Sequence, residues 1–228
     1  MGVLVFDFFG TLVDYDPSRT AQGYGRTHAL LAEIGVEIGY VDFLMRWDTV
    51  SARFDAASDE DDHEFSMIEL ATAFLREALG RSPIAADVEA LVATYLDDWN
   101  QGVRQIHGIP TLLRSLGGDH RLAIVTNTHD PRLVPQHLAR MGITGCLEAV
   151  ITSVEVGWRK PHHRIYQETL DRLRVDPGEC TFIGDTRSAD YTGPRSMGMR
   201  ALLIDPHHHQ AIPAEDRIAS VLDVRGKL

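Results

Sequence analysis

Two apolar runs in this chain each end in a carboxylate. Asp7 follows the run at residues 3–6, and Asp185 follows the run at residues 182–184, with a second carboxylate, Asp190, five residues further on. Buried strands of a parallel sheet are apolar along their whole length, and ligands collect at their carboxyl ends. An unpaired buried carboxylate costs several kcal/mol, so a cation or hydrogen-bond donors must neutralise Asp7.

Groups that can hold an anion occur elsewhere in the chain. Thr126, Asn127 and Thr128 follow one another at the end of a third apolar run. Three adjacent donor side chains, with nearby backbone N–H groups, can hold a phosphate or a carboxylate. Lys160 is the candidate cation, because the chain has only two lysines and the other, Lys227, stands at the penultimate position. These residues predict an anion site beside the carboxylates.

A tight turn is predicted directly after Asp7. Gly10 permits that turn because it has no side chain, and the hydroxyl of Thr11 is expected to hydrogen-bond back across it. The turn would hold the segment after the first strand close to the anion site.

The elements that position these residues alternate along the chain. Apolar runs predict strands at residues 122–126, 149–152, 181–183 and 201–204, and prolines at 110, 131 and 161 predict the starts of helices between them. This alternation predicts an α/β fold with a doubly wound, Rossmann-like parallel sheet. The carboxyl ends of its strands would bring the four polar segments together.

One region interrupts the alternation. Residues 16–90 contain no good strand, and their apolar positions recur at helical spacing, so an all-helical inserted domain is predicted there. The core domain is then residues 1–15 and 91–228. An acidic stretch at residues 55–64 is predicted to be a solvated connection between helices.

Composition limits the partners of the chain. The net charge is −11 over 228 residues, without a dispersed basic face, which disfavours nucleic acid. No apolar stretch is long enough for a membrane span, and the first residues do not resemble a signal peptide, so we expect a cytoplasmic protein without a membrane partner. A small molecule is the expected substrate, and the chain is expected to be a monomer or a homodimer.

Taken in order, the four segments resemble the four motifs of the haloacid dehalogenase-like (HAD) hydrolase superfamily, and the inserted domain resembles its helical type 1 cap. The resemblance implies that Asp7 is the nucleophile, Thr126 the hydroxyl of the second motif and Lys160 the cation of the third. Asp185 and Asp190 would form the acidic fourth motif. Thr11 and Asn127 join the expected catalytic residues.

The resemblance also implies Mg²⁺-dependent hydrolysis of a small organic phosphate through an aspartyl-phosphate. Mg²⁺ prefers oxygen ligands. Asp7, Asp185 and the backbone carbonyl of Phe9 are expected to bind the ion, and Asp190 to orient or join that shell. The expected substrate-binding residues are Phe9, Gly10, Arg46, Trp47 and Thr128.

Phe9 departs from the pattern of the family's phosphatases, which carry an aspartate two residues after the nucleophile as a general acid and base. Phenylalanine cannot transfer a proton, and general acid catalysis contributes about 10²- to 10⁴-fold to a rate. A phosphatase with Phe9 should therefore be slow or favour substrates with good leaving groups.

Three alternatives stay open. Haloacid dehalogenases have an aromatic residue at the position of Phe9, and Tyr166 and the pair Arg46–Trp47 are similar to theirs. They need no metal, however, and have Ser and Asn where this chain has Asp185 and Arg187. Phosphonoacetaldehyde hydrolases use a cap lysine, which residues 16–90 lack. The third alternative is a HAD-fold protein that binds a phosphorylated ligand and turns over little.

Overall fold

The computed structural model describes residues 2–16 and 21–228. Its strands are β1 Val3–Phe6, β2 Val13–Tyr15, β3 Val103–Gln105, β4 Arg121–Thr126, β5 Ala149–Thr152, β6 Cys180–Gly184, β7 Arg200–Ile204 and β8 Arg217–Ile218. Its α-helices are α1 Gly25–Ile34, α2 Tyr40–Asp61, α3 Met67–Leu79, α4 Ala85–Trp99, α5 Ile109–Leu116, α6 Leu133–Met141, α7 Ser153–Val156, α8 His163–Leu173 and α9 Gly193–Ser196. A π-helix covers Arg187–Thr192.

Six parallel strands form the main sheet, in the order β5-β4-β1-β6-β7-β8. The chain adds strands on one side of β1 and later on the other, so the order reverses at the boundary between β1 and β6. This confirms the predicted doubly wound parallel sheet, and that boundary is where such sheets bind ligands. Strands β2 and β3 pair in a separate two-stranded sheet.

Apolar side chains on alternate strand positions fix the sheet. Val3 and Val5 of β1, with Phe182 of β6, lie on one face, in a buried cluster that includes Ile165 and Leu170 of α8. Successive side chains of a strand point to opposite faces, so a one-residue slip would expose this set to water. The register, and with it the position of each strand end, is therefore strongly specified.

The chain divides into two compact units, Met1–Asp14 with Gln105–Leu228, and Tyr15–Arg104. The second unit contains helices α1 to α4 and extends past the predicted boundary at residue 90, which falls inside α4. The apolar face of α4 is continuous across that boundary, from Val88 to Leu91 and Leu96, all of them buried. The helix therefore cannot be divided at residue 90.

The acidic stretch also differs from its predicted form. Helix α2 continues through most of it and ends at Asp61, because Ala56 and Ala57 favour the helix while the acidic side chains around them stay at the surface. Among the described residues, no helix has both the length and the apolar character that crossing a bilayer requires.

His137 on α6 gives the first unit an acid-sensitive position. Its ring is buried, with its centroid 5.8 Å from that of Phe8. Burial and the nearby charge of Arg140 lower the pKa of His137 from 6.5 to about 4. Protonation therefore favours the unfolded chain, in which the imidazole keeps its ordinary pKa.

We expect the protein to lose up to about 3 kcal/mol of its free energy of unfolding through His137 as the pH falls from 6.5 to 4. The measurement is urea denaturation at several pH values for the wild type and His137→Phe, whose curves should diverge in that range. His107→Gln, at an exposed histidine, is the matched control and should follow the wild type. Parallel curves for wild type and His137→Phe would contradict the prediction.

Candidate active site

The strand register brings the ends of β1, β4 and β6 side by side. Phe6 lies opposite Ile124 on β4 and Ile183 on β6. The N–H of Asp7 donates a 2.9 Å hydrogen bond to the carbonyl oxygen of Ile183. Asp7 is thus fixed where the sheet changes direction, next to the residues that follow β4 and β6.

Lys160 is the cation that faces Asp7. Its Nζ lies 2.7 Å from Oδ1 of Asp7 and 2.6 Å from Oδ1 of Asp190, and all three side chains are buried. Burial alone would lower the pKa of Lys160, but the charges of Asp190 and Asp7 outweigh it and raise that pKa. Lys160 is therefore a buried ammonium ion held between two carboxylates.

Asp190 uses both of its carboxylate oxygens. Oδ1 accepts from Lys160, while Oδ2 accepts from the backbone N–H groups of Asp185, at 3.1 Å, and Thr186, at 2.9 Å. A Cβ at Gly184 would collide with the Asp190 side chain, so this approach requires glycine. Asp190 thereby fixes both Lys160 and the turn after β6.

Asp185 completes an acidic cluster. Asp7, Asp185 and Asp190 each offer a carboxylate oxygen, and these atoms lie within 4.8 Å of one another. Gly10, with φ of +86°, belongs to the same site, since a Cβ there would lie 2.5 Å from Oδ2 of Asp185. Asp185 is exposed on one side, but desolvation of its carboxylate against the cluster and the charges of Asp7 and Asp190 raise the pKa of Asp185 to about 7.

The cluster carries more negative charge than its lysine can balance. Burial raises the pKa of Asp7, Lys160 opposes that effect, and Asp190 adds to it. Three carboxylates against one ammonium leave a surplus of negative charge. An all-oxygen donor set with such a surplus fits a hard divalent cation such as Mg²⁺.

Two hydroxyl groups lie buried near this strand edge. Within residues 2–16 and 21–228, neither Oγ1 of Thr11 nor Oγ1 of Thr126 has a hydrogen-bond partner. The predicted bond from Thr11 across the turn is therefore absent. Backbone bonds close that turn instead, from the N–H of Leu12 to the oxygen of Phe8 and from that of Gly10 to the oxygen of Val13, both 2.8 Å. A buried hydroxyl without a partner is suited to a ligand.

Asn127 has different partners from those expected. Its Oδ1 accepts from the backbone N–H of Lys160 at 2.7 Å, and its Nδ2 donates to the backbone oxygen of Lys160 at 2.9 Å. Thr128 is also engaged in its own loop, because its N–H donates to Oγ of Ser153 at 2.9 Å. The sequence analysis missed Ser153, for which a lone serine after an apolar run gives no signal.

Phe9 and Trp47 pack against other aromatic rings, whereas Arg46 is exposed. The ring of Phe9 packs edge-on against Phe8, with centroids 4.9 Å apart, and lies 6.4 Å from the ring of His137. Arg46 and Trp47 belong to the second unit. Arg46 is exposed on α2, whereas Trp47 is buried in that unit against Phe74 and Tyr95.

Fold and site together define an α/β protein with an acidic cluster at the switch point of its sheet. A family model described as haloacid dehalogenase-like hydrolase matches residues 51–204, more than half of the chain. The chain belongs to this family, as the resemblance of its motifs predicted.

Two curated relatives match this chain over different lengths. Haloacid dehalogenase-like hydrolase domain-containing protein 3 from Homo sapiens is 35% identical over 107 residues, which cover 44% of this chain and 42% of the relative. The match thus spans less than half the length of such curated relatives. A ribulose-1,5-bisphosphate 5-phosphatase from Halopiger xanaduensis is 27% identical over 95% of this chain and 90% of its own length.

A solved structure extends the comparison of folds. The 2-haloacid dehalogenase from Pseudomonas syringae pv. Tomato DC3000 superposes with a TM-score of 0.76, covering 100% of this chain and 97% of the other. Its sequence identity is 19%, so this likeness concerns the fold alone.

Repulsion within the acidic cluster predicts an unusual effect of mutation. Asp185→Asn should raise the stability of the metal-free protein by about 1 kcal/mol after allowance for solvent screening, because it removes one of three crowded carboxylates. Thermal unfolding in EDTA provides the measurement. Asp119→Asn, at an exposed aspartate, is the matched control and should leave the melting temperature unchanged. A lower melting temperature for Asp185→Asn would refute this reading of the cluster.

Proposed function

We propose that this protein is a Mg²⁺-dependent phosphatase of a small organic phosphate, with Asp7 as its nucleophile. The observation that carries the proposal is the arrangement around Asp7, which is paired with Lys160 and lies beside the carboxylate of Asp185. A carboxylate is a competent nucleophile when it is oriented and its charge is balanced. The buried ion pair meets both conditions.

The proposed reaction has two steps. An Asp7 oxygen attacks phosphorus, the bond from phosphorus to the leaving oxygen breaks, and that oxygen departs with the bonding electrons. Water then attacks the aspartyl-phosphate, which releases inorganic phosphate and restores the Asp7 carboxylate. Lys160 and the hydroxyl of Thr126 would stabilise the negative charge on the phosphoryl oxygens.

Asp7, Asp185 and the backbone carbonyl of Phe9 would hold the Mg²⁺ ion. Bound there, the ion would neutralise the surplus charge of the cluster and the charge of the phosphoryl group. Asp190 would hold Lys160 and the turn that carries Asp185 in place, since its two carboxylate oxygens accept hydrogen bonds from Lys160 and from two backbone N–H groups.

Haloacid dehalogenation has less support. The substrate of a haloacid dehalogenase carries its own carboxylate, which would be repelled by the cluster of Asp7, Asp185 and Asp190 without a metal. The relative matched over most of this chain is a phosphatase, whereas the likeness to a dehalogenase is one of fold. The features that favour a dehalogenase are Phe9, Tyr166 and the pair Arg46–Trp47, which are similar to residues of dehalogenases.

Purified protein should hydrolyse p-nitrophenyl phosphate or acetyl phosphate with Mg²⁺ and lose this activity in EDTA. Asp7→Asn should reduce kcat at least about 10³-fold because the amide is not a nucleophile, while Asp119→Asn should match the wild type. Borohydride reduces an aspartyl-phosphate to homoserine with loss of phosphate, so mass spectrometry after trapping should find homoserine at position 7.

Two outcomes would contradict the assignment. Halide release from 2-chloropropionate in EDTA, without phosphatase activity, would establish the dehalogenase alternative. Stabilisation by Mg²⁺ and phosphate, without turnover of either phosphate substrate, would establish a ligand-binding protein.

The aromatic ring of Phe9 predicts a steep dependence on the leaving group. Because Phe9 cannot protonate a departing oxygen, kcat/KM should fall by about 10²- to 10⁴-fold more, from p-nitrophenyl phosphate to an alkyl phosphate, than in an enzyme with a general acid. Phe9→Asp should reduce that difference, and Phe9→Leu, which also lacks a proton, should retain it. If the difference in kcat/KM between the two substrates were the same for Phe9→Asp and Phe9→Leu, residue 9 would not face the leaving group.

A further inference from the structure

Asn127 ties the end of β4 to the backbone of Lys160. Its side-chain amide makes two hydrogen bonds to that one residue, accepting from its N–H at 2.7 Å and donating to its carbonyl oxygen at 2.9 Å. The two residues are 33 positions apart in sequence, and β4 is held in the sheet by pairing with β1 and β5. Asn127 therefore joins the lysine segment to the end of a strand that is paired on both sides.

A fixed backbone matters for Lys160 because a lysine side chain is long and flexible. Four rotatable bonds separate its backbone from Nζ, and ordering them costs about 2 kcal/mol of rotamer entropy. Nζ is nevertheless placed within 2.7 Å of an oxygen of Asp7 and an oxygen of Asp190. Those contacts need a backbone held at a defined distance from the strand ends.

These bonds give Asn127 a role toward Lys160 that does not require contact with the phosphoryl group. Its amide oxygen and one N–H of its amide nitrogen both bond to the backbone of Lys160. We propose that Asn127 is a positioning residue that acts on the reaction through Lys160, by fixing the backbone from which its ammonium reaches Asp7. This inference rests on the proposed phosphatase function.

A double-mutant cycle tests whether Asn127 acts through Lys160. With Lys160 present, Asn127→Ala should lower kcat about 10- to 100-fold, because misplacing a catalytic group by about 1 Å can reduce the rate 10²-fold. It should change kcat less than about twofold in the Lys160→Ala background, where there is no ammonium left to position. A similar loss in both backgrounds would overturn the proposal, because Asn127 would then act directly on the substrate.

Ser153→Ala is the matched control for the cycle. Ser153 Oγ accepts from the N–H of Thr128 and donates to the oxygen of Thr128, so these two bonds join the segment after β4 to the segment after β5 through Thr128. If Asn127 acts through Lys160 and not through the general rigidity of the loop, Ser153→Ala should lower kcat by less than about threefold. A loss as large as that of Asn127→Ala would overturn the specific role.

A measurement without substrate separates this inference from the proposed function. In protein labelled with ¹⁵N-lysine, Lys227→Arg leaves Lys160 as the only lysine. Its buried, hydrogen-bonded ammonium protons should exchange slowly and give a ¹⁵N–¹H signal. Asn127→Ala should broaden or shift that signal, whereas Ser153→Ala should retain it.

The NMR outcome decides the positioning role even if no phosphate is turned over. An unchanged Lys160 signal in Asn127→Ala would overturn the role, while absence of turnover in the wild type would overturn the proposed function alone. If Asn127→Ala does not fold, Asn127→Asp serves instead. It keeps the acceptor for the Lys160 N–H and loses the donor, so its signal should lie between those of wild type and a released lysine.

Discussion

The ion pair between Asp7 and Lys160 is the interaction on which the site depends. A carboxylate at the end of a central strand is buried by the sheet that positions it, and burying an unpaired ion costs several kcal/mol. Lys160 offsets that cost with an Nζ 2.7 Å from the carboxylate. Asp190 also pairs with Lys160, so replacing the lysine would leave two buried carboxylates, Asp7 and Asp190, without their cation.

The topology of the sheet explains why this pair can form between distant parts of the chain. Asp7 and Lys160 are 153 residues apart, and Lys160 and Asp190 are 30 apart. Parallel strands β1, β5 and β6 end at one edge, so the segments that follow them, with Asp7, Lys160 and Asp190, meet there whatever their separation in sequence. Hydrogen bonds from side chains to backbone groups then hold the individual segments. Asp190 holds the turn after β6, and Asn127 holds the backbone of Lys160.

Features that depend on residues close together in sequence could be predicted, whereas contacts between distant residues could not. Apolar runs and helix-starting prolines are local, so β1 and β5 were predicted at their observed bounds, and the parallel sheet was predicted from their alternation. The residue types also indicated that Asp7 needs a cation and that Lys160 is the candidate. The bonds of Asn127 could not be predicted, because the partner of a side-chain amide depends on three-dimensional distances, and Asn127 next to two threonines suggests a donor to an anion equally well.

Two features of the site favour different reactions. The charges of the acidic cluster favour phosphoryl transfer, and the aromatic residue Phe9 favours dehalogenation. Attack by a carboxylate is common to dehalogenation and phosphoryl transfer, so Asp7 and Lys160 do not separate them. The two carboxylates beyond Asp7 do, because they repel an anionic haloacid unless a cation intervenes, and with a cation they suit a phosphate. In the proposed reaction the side chain of Phe9 cannot assist protonation of the departing group. On that proposal, the charge of the cluster would govern which substrate binds, and the side chain of residue 9 which bound substrate reacts.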